Sequence, residues 1–180
     1  MLAVLLPSPS SARVFSAKYD AAIQQSVKRY WPDFPYWRAW KGQLYQESRL
    51  DPDAVSPVGA RGLAQFMPGT WKMMVREMRL GMKASPHTSR IAIPAGAYYM
   101  AKLRRQWSAP RPQGDRHALA AASYNAGLGH LLKAQKLCGG KNLYIEIIRC
   151  LPRVTGRHSE ETIGYVKAIW KWWRLMEIQR

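Results

Sequence analysis

Apolar residues in this chain recur almost throughout at three- and four-residue spacing, the period of a helix and not of a strand. Tyr19, Ile23, Val27 and Tyr30 fall on one helical face, and Pro32 with Pro35 ends that segment. Trp37, Trp40 and Leu44 form a second stripe within Tyr36–Glu47. The stretch Asp51–Gly62, with two Pro and two Gly, reads as an ordered loop. Beyond it, Thr70 is placed to cap a helix carrying Trp71, Met74, Val75 and Met78. Ile91–Trp107 reads as a helix with Pro94 in its first turn. Ala109–Gly114 is a turn, and the small residues of Ala118–Ser123 suit a helix that approaches its neighbours closely. A last helix spans about Glu160–Ile178, with acids at its start and Trp170, Trp172 and Trp173 along it. There is no repeat, low-complexity tract or strand series. The fold class is therefore mainly α.

At 180 residues the chain is long enough for one domain with a sizeable core. Its hydrophobic share of 47% excludes a disordered tail. No stretch reaches membrane-spanning length, because Pro7 interrupts the apolar run Met1–Leu6 at once. That run is also short for a signal peptide and has no Lys or Arg before it. Small residues around Ser10–Ala12 and Ser16–Ala17 keep a degenerate export signal open as the alternative. Residues 1–15 are accordingly read as an N-terminal segment, signal remnant or tail, and residues 16–180 as the domain.

A formal charge of +17 draws the protein toward polyanions: nucleic acid, anionic lipid or an acidic envelope polymer. Charge alone does not choose among these, and part of the excess can be a solvated surface. Lys167, Lys171 and Arg174 share one face of the last helix while tryptophans crowd the others, as on a membrane-surface helix. The other reading is that those tryptophans pack on the domain. No zinc finger, RNA-binding motif or basic heptad pattern is present, so no specific nucleic-acid partner is expected. His87, His117, His130 and His158 are scattered singly, and Cys138 and Cys150 lack metal-type spacing partners. No metal or cofactor is expected. The two cysteines form either a disulfide, in an oxidising compartment, or two reduced thiols.

Glu47 continues the spacing of Trp37, Trp40 and Leu44, which places a carboxylate on the apolar face of its helix near that helix's end. Apolar surroundings penalise the charged form and raise the pKa. A carboxyl kept protonated near neutral pH is what a general acid for a glycosidic oxygen requires. By periodicity alone, a helix-end glutamate bonded to a nearby amide or arginine is the favoured reading of the position.

The residues that follow carry a stronger signal. Glu47-Ser48 runs through Asp51-Pro52, Ala54, Ser56 and Gly59 to Gly62-Leu63-Ala64-Gln65-Phe66-Met67-Pro68-Gly69-Thr70. Ala121-Ala122-Ser123-Tyr124-Asn125-Ala126-Gly127 and Glu161-Thr162-Ile163-Gly164-Tyr165-Val166 lie farther on. In order and spacing these resemble the motifs of the family 1 lytic transglycosylases, the soluble-transglycosylase (SLT) domain: Glu-Ser, Gly-Leu-x-Gln-x-Met-Pro-x-Thr, Ala-x-x-x-Tyr-Asn-x-Gly and Glu-Thr-x-x-Tyr-Val. The resemblance covers roughly Tyr36 to Lys171, and Ile91–Trp107 looks like the helix between the second and third motifs. Ala64 stands where the family often has Met, and Ser123 where Ala is common; neither change removes a functional group. Lys136–Arg157, with both cysteines, has no counterpart that can be placed.

The resemblance implies a lysozyme-like domain with a cleft between helices, acting on peptidoglycan glycan strands. It implies that Glu47 is the catalytic acid and base, and that the product is a 1,6-anhydromuramyl end. Substrate-binding roles carry over to Ser48, Gln65, Met67, Tyr124, Asn125, Glu161 and Tyr165, residue by residue. Ser48 would position groups near the sugar, or is a helix-end polar residue. Gln65 offers an amide donor and acceptor to substrate or to Glu47. Met67 packs on a sugar face or in the core. Tyr124 would bring its hydroxyl to the reaction centre, and Asn125 would bind substrate or brace the loop. Glu161 contacts the glycan or serves the helix dipole, and Tyr165 reads as a cleft wall. Asp51 and Asp53, flanking Pro52, read as loop-capping groups. Gly59, Gly62 and Gly127 read as backbone-geometry positions.

Two rivals remain at this level: a goose-type hydrolytic lysozyme, and a basic membrane- or nucleic-acid-binding protein. The expected place of action is the bacterial cell wall, as a monomer. The small domain, high charge and weak leader favour a phage-encoded enzyme.

Overall fold

The computed structural model describes residues 15–178; the expectation for the N-terminal segment falls almost wholly outside them. Among the described residues there are nine helices and no extended strand. They are α1 (Asp20–Tyr30), α2 (Trp37–Ser48), α3 (Pro68–Glu77), α4 (Ser89–Gln106), α5 (Gln113–Ala126), α6 (Leu128–Leu137), α7 (Tyr144–Ile148), α8 (Pro152–Thr155) and α9 (His158–Ile178). None is long and apolar enough to cross a membrane.

The centre of the domain is α5, packed among α4, α6 and α9, with Ala118–Ser123 wholly buried. Alanines there remove the side-chain bulk that would hold the neighbouring helices apart. The other principal pairings are α2 on α9 and α1 on α4. Trp31, Trp40 and Trp107 are the largest fully buried side chains, which closes the core with few residues. Trp31 donates to the Ala97 carbonyl and Trp107 to the Ser123 hydroxyl. At the α2–α9 interface a Cβ on Gly42 would lie 3.1 Å from the Ile169 carbonyl oxygen, so the missing side chain lets the two backbones meet.

Two expectations about helix starts need correction. Thr70 does not cap α3: Met67 occupies the N-cap position and Pro68 opens the helix, needing no N–H partner there. Pro94 lies beyond the first turn, because α4 begins at Ser89. The extra turn forms with Thr88 as its N-cap residue, whose carbonyl accepts from the Ala92 N–H.

The terminal tryptophans pack on the domain. Trp170 stacks on Trp173, Trp173 meets Phe34 and Tyr36, and Trp172 packs on Tyr45 while donating to Gln46. Lys167, Lys171 and Arg174 are exposed, and Arg174 lines one hollow with Trp170 and Trp173. Cys138, just after α6, and Cys150, between α7 and α8, are joined as a disulfide with Cα atoms 5.9 Å apart. The bond fastens the segment that had no placeable counterpart in the sequence motifs.

Candidate active site

Helix α2 carries Glu47 in its last turn and stops at once, because Arg49 and Leu50 both adopt left-handed backbone with φ of 58° and 64°. Such positions are unfavourable for side-chain-bearing residues and cluster where a chain must turn sharply at a site. Trp40 and Leu44 are fully buried below, so the helix face that ends at Glu47 is anchored in the core. Glu47 itself stays half-buried.

The Tyr165 hydroxyl, from the first half of α9, donates to the Glu47 carboxylate. Burial pushes the Glu47 carboxyl up to about 8; the Tyr165 bond opposes this and the charge of Glu161 adds to it. The carboxyl is therefore protonated at neutral pH. Tyr165, expected as a cleft wall, bonds the Glu47 carboxyl directly.

The loop between α2 and α3 is held by its own polar groups. Gly62 donates its N–H to the Ala54 carbonyl, and Ser56 and Ala60 bond each other through backbone and side chain. Isolated bridges pair Arg61 with Val55 and with Phe66. Gly62 has φ of 74°, and a Cβ there would fall 2.0 Å from the Pro86 carbonyl oxygen, so only glycine fits. Gly59 and Gly127 also have positive φ, in agreement with their reading as geometric positions.

This loop takes up several residues with expected substrate roles. The Ser48 hydroxyl points to the carbonyls of Leu44 and Leu63, at 3.3 and 3.0 Å, tying helix end to loop. The Gln65 amide nitrogen is engaged by Gly62 and Ala54 carbonyls at 2.9 and 3.2 Å, and it makes no hydrogen bond to Glu47. The Tyr124 hydroxyl donates to the Ala64 carbonyl at 2.7 Å, close enough to Glu47 for that charge to help raise its pKa. Met67 is 44% exposed, which removes the core reading and leaves its side chain at the surface. Gln65, Met67, Thr70, Tyr99 and Tyr124 line a small cavity of about 40 Å³.

On the other side, Asn125 donates to Glu161 at 3.2 Å and accepts from Thr162 at 2.7 Å, joining the end of α5 to the start of α9. Asn125, His130, Val154, His158 and Glu161 border a concavity of about 320 Å³. Tyr124 lines the first hollow and Asn125, next to it in sequence, the second. Asp51 caps its own turn, accepting from the Asp53 N–H at 2.9 Å. Among the described residues no group of three His, Cys, Asp or Glu is arranged to hold a metal ion.

Gln43 escaped the sequence reading. It lies one turn before Glu47, fully buried, with its amide beside the Tyr165 hydroxyl, whose ionised form it favours. The i, i+4 relation to Glu47 was the available signal.

Comparison with known proteins places the chain in a family. Residues 43–146 match the transglycosylase SLT domain model. Membrane-bound lytic murein transglycosylase F of Pseudomonas syringae pv. syringae is 33% identical over 156 residues, 83% of this chain and 29% of that protein. The chain thus spans under a third of the length of this relative. An inactive mutant of the lytic transglycosylase Slt from Pseudomonas aeruginosa superposes with a TM-score of 0.70 at 26% identity, over 88% of this chain and 24% of that one. The 70 kDa soluble lytic transglycosylase of Escherichia coli gives 0.68 at 26% identity, over 89% and 24%. With more than half its length matched by the family model and the lysozyme-like fold of these enzymes, the chain belongs to the transglycosylase SLT domain family.

Proposed function

We propose that this protein is a peptidoglycan lytic transglycosylase that cleaves the β-1,4 bond between N-acetylmuramic acid and N-acetylglucosamine, with Glu47 as acid and then base. The observation that carries the reading is a carboxyl held protonated to about 8, bonded to Tyr165. Its relatives' description as lytic murein transglycosylases supports the same substrate.

In the first step the Glu47 proton passes to the glycosidic oxygen, which leaves as the N-acetylglucosamine hydroxyl. The muramyl N-acetyl oxygen stabilises the positive C1. Ionised Glu47 then takes the proton of the C6 hydroxyl as its oxygen bonds to C1, closing the 1,6-anhydro ring and restoring the acid. Tyr165 stabilises the ionised stage by donating to the carboxylate. Two-carboxylate glycosidases place a second acid across the sugar. Here Asp51 is committed to its own turn, and Glu161 is exposed and bonded to Asn125. The site of action is the bacterial cell wall.

Mass spectrometry of products from purified sacculi tests the reaction. Anhydromuramyl ends, one water lighter than reducing ends, are expected. A predominance of reducing ends would make the protein a hydrolytic lysozyme.

A further inference from the structure

A concentration of positive charge lines a hollow away from Glu47. A hollow of about 410 Å³ opens where α1 ends, α4 ends and α5 begins, lined by Tyr30, Asp33, Arg104, Arg105, Ser108 and Arg116 among others. Arg116 and Tyr124 sit two turns and more apart on α5, about 12 Å along its axis, so this hollow lies well away from the reaction centre.

Its three guanidiniums are differently engaged. Arg104 is only 3% exposed; one terminal nitrogen contacts Asp33 at 2.8 Å and Gln113 at 2.9 Å, while the other is buried with no partner. Arg116 bonds backbone carbonyls of Trp107 and Ala109, so no carboxylate balances it. Arg105 is exposed and makes no hydrogen bond or ion pair among the described residues. Asp33 is the single acid in the wall. Burial holds Arg104 below its usual range; its pairing with Asp33 opposes this, and the charge of Arg116 adds a smaller lowering effect across the hollow. A bound anion would favour the charged form of both.

Three cations and one acid leave a local charge of about +2, which complements a phosphomonoester at about −1.5 to −2 near neutral pH. Guanidinium forks pair with phosphoryl oxygens, and the Ser108 and Tyr30 hydroxyls add two further polar groups. The hollow exceeds the volume of a phosphate, and Tyr30 and Pro32 give it an apolar wall suited to a sugar ring. We propose that this hollow is a binding site for a phosphorylated sugar, anchoring the enzyme to phosphate-bearing glycan at a point separate from the cleavage site.

The test is an amide NMR titration of the whole protein with N-acetylglucosamine 6-phosphate at constant ionic strength. Saturable shifts confined to residues around Arg104, Ser108 and Arg116 are expected, with unphosphorylated N-acetylglucosamine producing none there. Arg105→Ala, a change at an exposed side chain, should weaken binding about tenfold. Lys171→Ala removes equal charge elsewhere and should leave it unaltered, as should Glu47→Gln, so binding and cleavage are separable. The proposal fails if shifts are scattered and unsaturable, or if Lys171→Ala weakens binding as much as Arg105→Ala. It also fails if the unphosphorylated sugar binds equally, or if phosphatidylglycerol vesicles perturb the hollow and the sugar phosphate does not.

Discussion

The Tyr165 hydroxyl bonds the Glu47 carboxylate across 118 positions of sequence, joining the end of α2 to the first half of α9. Its effect opposes that of burial: it favours the ionised form that burial penalises. The balance gives a carboxyl that can both donate and accept a proton near neutral pH.

Glu47→Gln should abolish release of muropeptides from sacculi, a loss of at least about 10²–10⁴-fold, because one group serves both steps. Its circular dichroism spectrum should match the parent's. Substantial clearing of a sacculus suspension by this variant would remove Glu47 from the mechanism.

Tyr165→Phe should shift the alkaline limb of the pH–rate profile upward by about one unit, since the lost bond had lowered the Glu47 pKa. The plateau rate below that limb should fall, because the ionised stage loses its donor. An unchanged limb would show that Tyr165 only shapes the cleft.

Stability should respond to pH through two buried groups of opposite sign. His117, 1% exposed and stacked on Phe34, is lowered to about 3 by burial and by Arg104. Between about 3 and its unfolded value of 6.5, only the unfolded chain binds this proton, so stability rises with pH. Glu47 is raised from 4.5 to about 8, so only the folded chain holds its proton there and stability falls as pH rises. The two slopes cancel from about 4.5 to 6.5, and from about 6.5 to 8 the parent should lose about 2 kcal/mol. Glu47→Gln removes that loss and uncovers a gain of about 2 kcal/mol between pH 5 and 6.5. Denaturant melts of both proteins across this range measure it, and parallel curves would refute the assignment.

Replacing Cys138 and Cys150 by Ser should lower stability by about 3 kcal/mol relative to the oxidised protein. Reductant should destabilise the parent equally and leave the double variant unaltered. Glu47 chemistry should persist at temperatures where the fold holds.

Cleavage of intact sacculi should fall steeply with salt, while cleavage of short uncharged fragments should not, because a +17 field is screened over about 10 Å in ordinary buffers. Substituting Lys167, Lys171 and Arg174 by Gln should weaken sacculus binding without unfolding, since all three are exposed and the neighbouring tryptophans pack inward. Normal binding by the triple variant would locate the attraction elsewhere.

Local order was legible in the sequence because it depends on local spacing. The stripe Trp37, Trp40 and Leu44 placed α2, and the glycines at 59, 62 and 127 marked backbone turns that side chains disfavour. Motif spacing likewise singled out Glu47, Tyr124, Asn125 and Glu161 together. Helix starts were less legible: Thr70 has the chemistry of a cap, but Pro68 claims the start of α3 two residues earlier.

What residues do to one another across the fold depended on contacts that no spacing encodes. Gln65 and Ser48 carry polar groups suited to a sugar, yet the loop uses them to satisfy its own carbonyls. Arg104 and Arg105 near the end of α4 and Arg116 near the start of α5 line one charged hollow only because the two helices meet. The sequence by itself determined a helical chain with a carboxylate on an apolar face. Tertiary packing decided its proton affinity, because desolvation and the Tyr165 bond exist only once α2 and α9 are pressed together.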